Sequence, residues 1–169
     1  RETRDPYRIW LSEVILQQTR VDQGLAYWLR FVERYPTVAH LAKAPEDAVL
    51  KLWQGLGYYS RARNLLTAAR QVVTEHGGSF PVTYSELRGL KGVGEYTAAA
   101  IGSIAFGLVE PVVDGNVYRV LARVFGIATP IDSTEGRKEF RALAATLMDH
   151  KHPGDHNQAV MELGALVCT

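Results

Sequence analysis

The sequence predicts an all-α protein, and three observations predict it. Apolar residues recur at helical spacing along most of the chain, and no segment sustains the period-two alternation of a half-buried strand. Proline and glycine punctuate the intervals between these runs rather than interrupting them. With 169 residues, 47% hydrophobic and 22% charged, the chain is long enough for one sizeable core or two small lobes. A formal net charge of +1 neither demands nor excludes a nucleic-acid partner. Any DNA-binding face must come from local placement of Arg and Lys. No stretch approaches the roughly 18 apolar residues of a membrane span, and no signal peptide is visible. The single cysteine, Cys168, cannot form an internal disulfide and fits a reducing compartment. The chain opens on Arg1 and reads as a fragment.

In chain order, Asp5 is a candidate N-cap and Pro6 suits the first turn of the first helix. That helix is apolar on most sides (Ile9, Trp10, Leu11, Val14, Ile15, Leu16), with Glu13 in its middle. A carboxyl group in apolar surroundings tends to hold a proton near neutral pH, as a general acid must. The alternative is a glutamate on the one solvated stripe. Gln17 and Gln18 are either surface residues or probes of base edges. Residues 22–34 form an amphipathic helix with Tyr27, Trp28 and Phe31, closed by Pro36. Thr37 and Pro45 introduce two short helices, the second with Ala48, Val49, Leu52 and Trp53 inward.

Next come Tyr58 and Tyr59, flanked by glycine. Exposed aromatics there would stack on or wedge between bases; core tyrosines are the alternative. Ser60 opens a long helix with Leu65, Leu66, Ala69, Val72 and Val73 on one face, stopped by Gly77-Gly78. Arg61, Arg63 and Arg70 lie off that face and read most simply as solvated charges. Residues 80–90 form a connector.

The stretch from 90 to 116, LKGVGEYTAAAIGSIAFGLVEPVVDGN, is the centre of the chain. Gly92 and Gly94 permit a tight turn and close approach of a partner. A helix starting just after them leaves its first N–H groups open to a phosphate. Gly107 ends that helix, and Asp114 then sits at a turn before Gly115-Asn116. Each signal has a plain alternative: a simple turn for the glycines, an N-cap for Asp114. A helix follows with Val117, Val120, Leu121, Val124 and Phe125 on one face. Ser133 caps another, with Phe140, Leu143, Ala144, Leu147 and Met148 inward. Pro153-Gly154-Asp155 break and recap the chain before a last helix carrying Ala159, Leu163, Leu166 and Val167. The same break separates His152 from His156, which therefore read as loop composition rather than a metal pair.

The motifs Asp5-Pro6-Tyr7, WLSEVILQQTRV (10–21), WQGLGYYSRARN (53–64), LKGVGEYTA (90–98), VDGNVYRV (113–120), PGDHNQA (153–159) and ELGALVC (162–168) together resemble the helix-hairpin-helix superfamily of DNA glycosylases. Within it they resemble the MutY-type adenine DNA glycosylases, over essentially the whole chain. The resemblance implies a helix-hairpin-helix fold of two helical lobes: a six-helix module over residues 20–118, and an iron-sulfur lobe from residues 1–19 plus 119–169. A cleft between them would hold a flipped adenine, with Glu13 facing Asp114. It further implies removal of adenine mispaired with 8-oxoguanine or guanine in double-stranded DNA.

By the same resemblance, Glu13 is the acid that protonates adenine at N7. Asp114 is the carboxylate that stabilises or transiently attacks the sugar, and Asn116 hydrogen-bonds beside them. Gly92, Val93 and Gly94 form the phosphate-holding hairpin, Gln18 and Tyr58 enter the duplex, and Arg1, Val21 and Gln158 line the adenine pocket. Related endonuclease III enzymes, which also cut the strand at oxidised pyrimidines, carry a nucleophilic lysine where this chain has Tyr96. A phenol cannot form their Schiff base, so a monofunctional glycosylase is expected, with Tyr96 near the DNA. Lys91 occupies a hairpin position where proline is common. Cys168 corresponds to the first of four cysteines that bind a 4Fe-4S cluster in relatives. The other three are absent from this chain, which cannot bind the cluster alone, and no other cofactor is expected. Without the C-terminal domain that reads 8-oxoguanine in relatives, discrimination against guanine should weaken. The implied enzyme is monomeric, has no membrane partner and works in the bacterial cytoplasm at the nucleoid. The rival readings are an endonuclease III-like glycosylase-lyase and a non-catalytic helix-hairpin-helix DNA-binding module.

Overall fold

A computed structural model describes residues 3–17, 19 and 21–169. Every regular element among them is helical: α1 (Pro6–Leu16), α2 (Val21–Arg34), α3 (Val38–Ala42), α4 (Glu46–Trp53), α5 (Ser60–Glu75), α6 (Tyr84–Gly89), α7 (Glu95–Phe106), α8 (Gly115–Phe125), α9 (Thr134–Leu147) and α10 (Pro153–Glu162), then a π-helical turn, Leu163–Val167. The all-α expectation holds. Local chemistry sets most boundaries. The Asp5 carboxylate accepts from the Tyr7 N–H ahead of Pro6. The hydroxyls of Thr37, Thr83 and Ser133 cap α3, α6 and α9 in the same way. Gly107 and Gly126 end α7 and α8 in the left-handed region, where a Cβ is unwelcome. No helix of the described residues is long and apolar enough to cross a membrane.

The chain forms two compact units, one ending at Thr97 and the other spanning Ala98–Thr169. In the first, α5 packs on α1, α3 and α4, and α1 also packs on α2. The core is aromatic: Phe31 meets Trp53 edge-on at 5.9 Å and Trp10 meets Phe80 at 5.3 Å. Seven of the eleven residues of α1 are buried, so this helix is covered nearly all round rather than along one stripe. The Tyr7 hydroxyl donates to the Tyr35 carbonyl at 2.6 Å. Burial pushes that phenol well above its ordinary pKa.

In the second unit α8 packs against α9, α10 and the π-helical turn, with Tyr118 edge-on to Phe140 at 5.0 Å. Gly154 lets the start of α10 lie on the backbone of α7, where a Cβ would come within 2.8 Å of the Ser103 carbonyl oxygen. Two expectations fail here. The helix begins at Pro153, two residues before Asp155, because a first-turn proline lacks only an N–H that needs no partner. His156 is therefore helical, and His152 stands at the N-cap. Second, the apolar faces of α8 and the last segment are not fully covered. Val124, Phe125 and Leu163 rim an open apolar cleft of about 220 Å³, and Ala159, Leu166 and Val167 are exposed. Spacing put these residues on one face but did not say that anything lies against it.

Candidate active site and nucleic-acid interface

Glu13 is 3% exposed, which rules out the solvated-stripe reading. Its neighbours on α1, Ile9, Trp10 and Val14, are core residues, so the fold places a carboxyl group inside a helix that is buried along most of its length. Four residues on, Gln17 turns the chain out of α1, and its side-chain amide reaches the Thr97 hydroxyl at 3.4 Å.

Arg61 is the residue that sequence reasoning placed wrongly. It is a half-buried guanidinium that donates to carbonyls at the end of α1: Val14 and Ile15 at 3.3 Å each, and Gln17. Those carbonyls have no intrahelical N–H to accept from, and a cation at a helix C-terminus suits the helix dipole. The other terminal nitrogen donates to the Leu56 carbonyl at 3.1 Å. Burial lowers the guanidinium pKa from its ordinary value, and neighbouring Tyr58 opposes that shift. Arg63 and Arg70 are exposed as expected, though Arg63 pairs with Glu46 at 3.0 Å and Arg70 donates to the Ala42 and Ala44 carbonyls.

The loop between α4 and α5 holds Tyr58 outward, 68% exposed, with Tyr59 also exposed. The core-tyrosine alternative is excluded. Tyr58 has φ 45°, directly after Gly57 at 69° and three residues after Gly55 at 101°. A bulky residue in the left-handed region is strained and persists only where its surroundings over-determine it. Here they do: Tyr27 donates to the Gln54 carbonyl at 2.7 Å, Trp53 to Gly57 at 2.9 Å, and Arg61 to Leu56. Three side chains grip the loop backbone and leave one aromatic ring projecting into solvent.

The glycine hairpin forms as read, with α7 starting at Glu95, directly after Gly94. Its two glycines do different work. Gly92 has φ 77°, and a Cβ there would lie 2.8 Å from Cβ of Asn64 on α5. The fold itself therefore requires Gly92. Gly94 has no positive φ and nothing within 4 Å of a built Cβ, so nothing in the fold requires it. Val93 is buried between them and donates to the Leu90 carbonyl at 3.0 Å. Lys91, at the position where proline is common, uses its N–H to donate to Gln71 Oε1 at 2.7 Å, a bond proline lacks the donor to make. Tyr96 stands in the first turn of α7. Through Arg61, Asn64 and Gln71, one helix, α5, braces the end of α1, the tyrosine loop and the hairpin.

In the second unit Asp114 is an N-cap, and more than that. One carboxylate oxygen accepts from the Val117 N–H at 2.8 Å, and the other from the Asn116 side-chain amide at 3.0 Å. Arg119 Nη1 lies 3.4 Å from Asn116 Oδ1 and also donates to the Gly164 carbonyl at 2.7 Å. Asn157, which the sequence reading did not single out, fixes the approach to Asp114. Buried at 3%, it donates to the Ser103 hydroxyl and the Glu110 carbonyl at 2.9 Å each and accepts from the Val112 N–H at 3.1 Å. Only its adjacency to Gln158 within the PGDHNQA motif marked it in advance.

The remaining predicted residues divide. Val21 opens α2, 71% exposed, on an open apolar groove of about 530 Å³ shared with Ile9, Ser12, Leu16 and Trp28. Gln158 lies on α10, its amide nitrogen donating to Glu162 at 2.6 Å. Its buried carbonyl oxygen has no partner among the described residues. Arg1 and Gln18 lie outside the described residues. Cys168 follows the π-helical turn, with Arg123 Nη1 3.3 Å from its sulfur. Among the described residues no group of three or more His, Cys, Asp or Glu side chains is placed to share a metal ion. One thiol does not make the donor set of a 4Fe-4S cluster, so this chain's residues do not fit the group by themselves.

A family model described as HhH-GPD superfamily base excision DNA repair protein matches residues 11–145. The chain belongs to this superfamily. In this HhH-GPD chain the matched span contains Glu13, Tyr58, the hairpin, Asp114 and Asn116. Adenine DNA glycosylase of Homo sapiens is 51% identical over 167 residues, 98% of this chain and 31% of that protein. The chain thus spans under a third of the length of that relative. A solved structure of a thermostable thymine-DNA glycosylase is 31% identical with a TM-score of 0.91, over 99% of this chain and 77% of that one. An endonuclease III trapped as a covalent DNA intermediate is 23% identical with a TM-score of 0.86 over the same shares, a likeness of fold. The helix-hairpin-helix glycosylase fold expected from the motifs is confirmed.

Proposed function

We propose that the full-length protein is a monofunctional DNA glycosylase that removes adenine mispaired with 8-oxoguanine or guanine from double-stranded DNA. The observation that carries this reading is Glu13, a carboxyl buried in a largely apolar helix of a HhH-GPD chain. Relatives named as adenine DNA glycosylases supply the base. The target nucleotide must leave the stack before its glycosidic bond is reachable. Tyr58, projecting from a gripped loop, fills the space it vacates and offsets the cost of unstacking. Glu13 delivers a proton to adenine N7 and turns the base into a better leaving group. Asp114, both oxygens already oriented by hydrogen bonds, stabilises the positive charge that develops on the sugar as the bond breaks. Water completes the hydrolysis. Tyr96 supplies no amine for a Schiff base, which favours this reading over a glycosylase-lyase. A cluster seeded at Cys168 would need three further thiolates, and no step here runs through one.

The hairpin reading separates fold from binding at two adjacent glycines. Gly92→Ala is expected to cost about 1–3 kcal/mol of stability, from the left-handed φ and the contact with Asn64. Gly94→Ala is expected to leave stability within about 0.5 kcal/mol while weakening duplex binding, because its Cβ intrudes where a phosphate would sit. Thermal melting beside fluorescence anisotropy distinguishes them; unchanged DNA affinity in a folded Gly94→Ala protein would remove the hairpin from the interface.

The direct test is single-turnover release of adenine from an 8-oxoguanine:adenine duplex by the full-length protein. Release without strand cleavage is the expected result. No release by a protein that binds the duplex would favour the DNA-binding module. A borohydride-trapped adduct on an oxidised pyrimidine would favour the lyase.

A further inference from the structure

We propose that Arg61 is a positioning residue, coupling the helix that carries Glu13 to the loop that carries Tyr58, so that base excision depends on it without its touching the base. The inference rests on the reading above, in which Glu13 is the acid and Tyr58 the wedge. The geometry is that of a two-sided clasp. One terminal nitrogen fans into the carbonyls of Val14, Ile15 and Gln17, and the other holds Leu56, two residues before Tyr58. The guanidinium carbon lies 5.2 Å from the Trp53 ring centroid and 5.8 Å from that of Tyr58. Trp53 in turn holds the Gly57 carbonyl. The strained backbone of Tyr58 is thus bracketed by Arg61 directly and through Trp53.

No other residue type does this. The planar fork presents donors in two fixed directions, whereas a lysine ammonium is a single point on a flexible stem. Opposed carbonyl groups, from α1 on one side and the loop on the other, need the fork. Losing it frees the loop to relax toward ordinary φ and frees the last turn of α1, which begins at Glu13. A misplacement of about 1 Å at a reacting constellation can cost about a hundredfold in rate.

The test is a double-mutant cycle of Arg61→Lys and Tyr58→Ala in the full-length protein, on an 8-oxoguanine:adenine duplex with 2-aminopurine beside the target adenine. Protein is saturating and the temperature well below every variant's melting point. Arg61→Lys is expected to lower the excision rate roughly tenfold to a hundredfold and to reduce the 2-aminopurine rise that reports unstacking. The double mutant should fall little below Tyr58→Ala alone, because the two act through one event. Arg63→Ala, an exposed neighbour paired with Glu46, serves as the control and should match the parent. An arginine that only held the fold would lower the melting temperature and leave unstacking by the folded enzyme unchanged. Parent-like excision by folded Arg61→Lys, or losses that multiply across the cycle, would overturn the coupling. Should Arg61→Lys not fold, Arg61→Gln, with two donors and no charge, takes its place under the same criteria. A parent that releases no adenine overturns the functional reading and this inference together; a parent that releases it with multiplying losses overturns this inference alone.

Discussion

Glu13→Gln is expected to lower single-turnover adenine release by about 10²–10⁴-fold, the usual contribution of a positioned general acid, with duplex binding retained. The amide keeps the shape of the side chain and fills the same space in α1, so the packing of Ile9, Trp10 and Val14 around it is preserved. It cannot surrender a proton to a leaving base. Melting temperature and anisotropy, measured beside the rate, separate lost chemistry from lost structure. A folded Glu13→Gln protein that excises adenine at the parent rate would take the acid role away from this residue. It would also leave a buried carboxyl without a catalytic explanation.

Asp114→Asn is expected to cost about 10²–10³-fold in the same assay, as removal of one preorganised electrostatic stabiliser does. Stability should hardly move, since asparagine is as good an N-cap as aspartate and retains an acceptor for the Val117 N–H. What it loses is charge, along with the second acceptor oxygen that receives the Asn116 amide. Asp114→Ala provides the contrast: a similar rate loss plus about 1 kcal/mol from the missing cap. Equal rates with unequal melting temperatures would show that capping and catalysis are separate duties of one carboxylate. A rate loss confined to the alanine variant would reduce Asp114 to a structural cap.

The sequence was legible wherever a signal is local. Asp5-Pro6, Thr37 and Ser133 mark helix starts through hydrogen bonds that close within a few residues. Gly92 needed no tertiary information to be read as a turn with positive φ, and Asp114 announced its capping turn. Motif order then tied these local signals to one family of folds. Arg61 and Asn157 were illegible for the opposite reason. Their partners lie 44 to 47 residues away for α1 and 45 to 54 residues away for the loop and α7. A charge off the apolar face of a helix looks the same whether solvent or the carbonyls of four residues lie above it.

By itself, then, the sequence determined that the chain is helical and where most of its helices start and stop, and its motifs named Glu13, Asp114 and Gly92-Val93-Gly94 as the candidates for acid, carboxylate and phosphate contact. Periodicity and capping are properties of ten or so consecutive residues and do not wait for the rest of the molecule. Tertiary structure decided which surfaces are covered. It buried Glu13 by enclosing α1 on nearly every side, and turned Tyr58 outward by gripping its loop from Tyr27, Trp53 and Arg61. It left Val124, Leu166 and Val167 open although their spacing matched a core. Burial is a relation between segments distant in the chain, and a helical period specifies a face without specifying what that face meets.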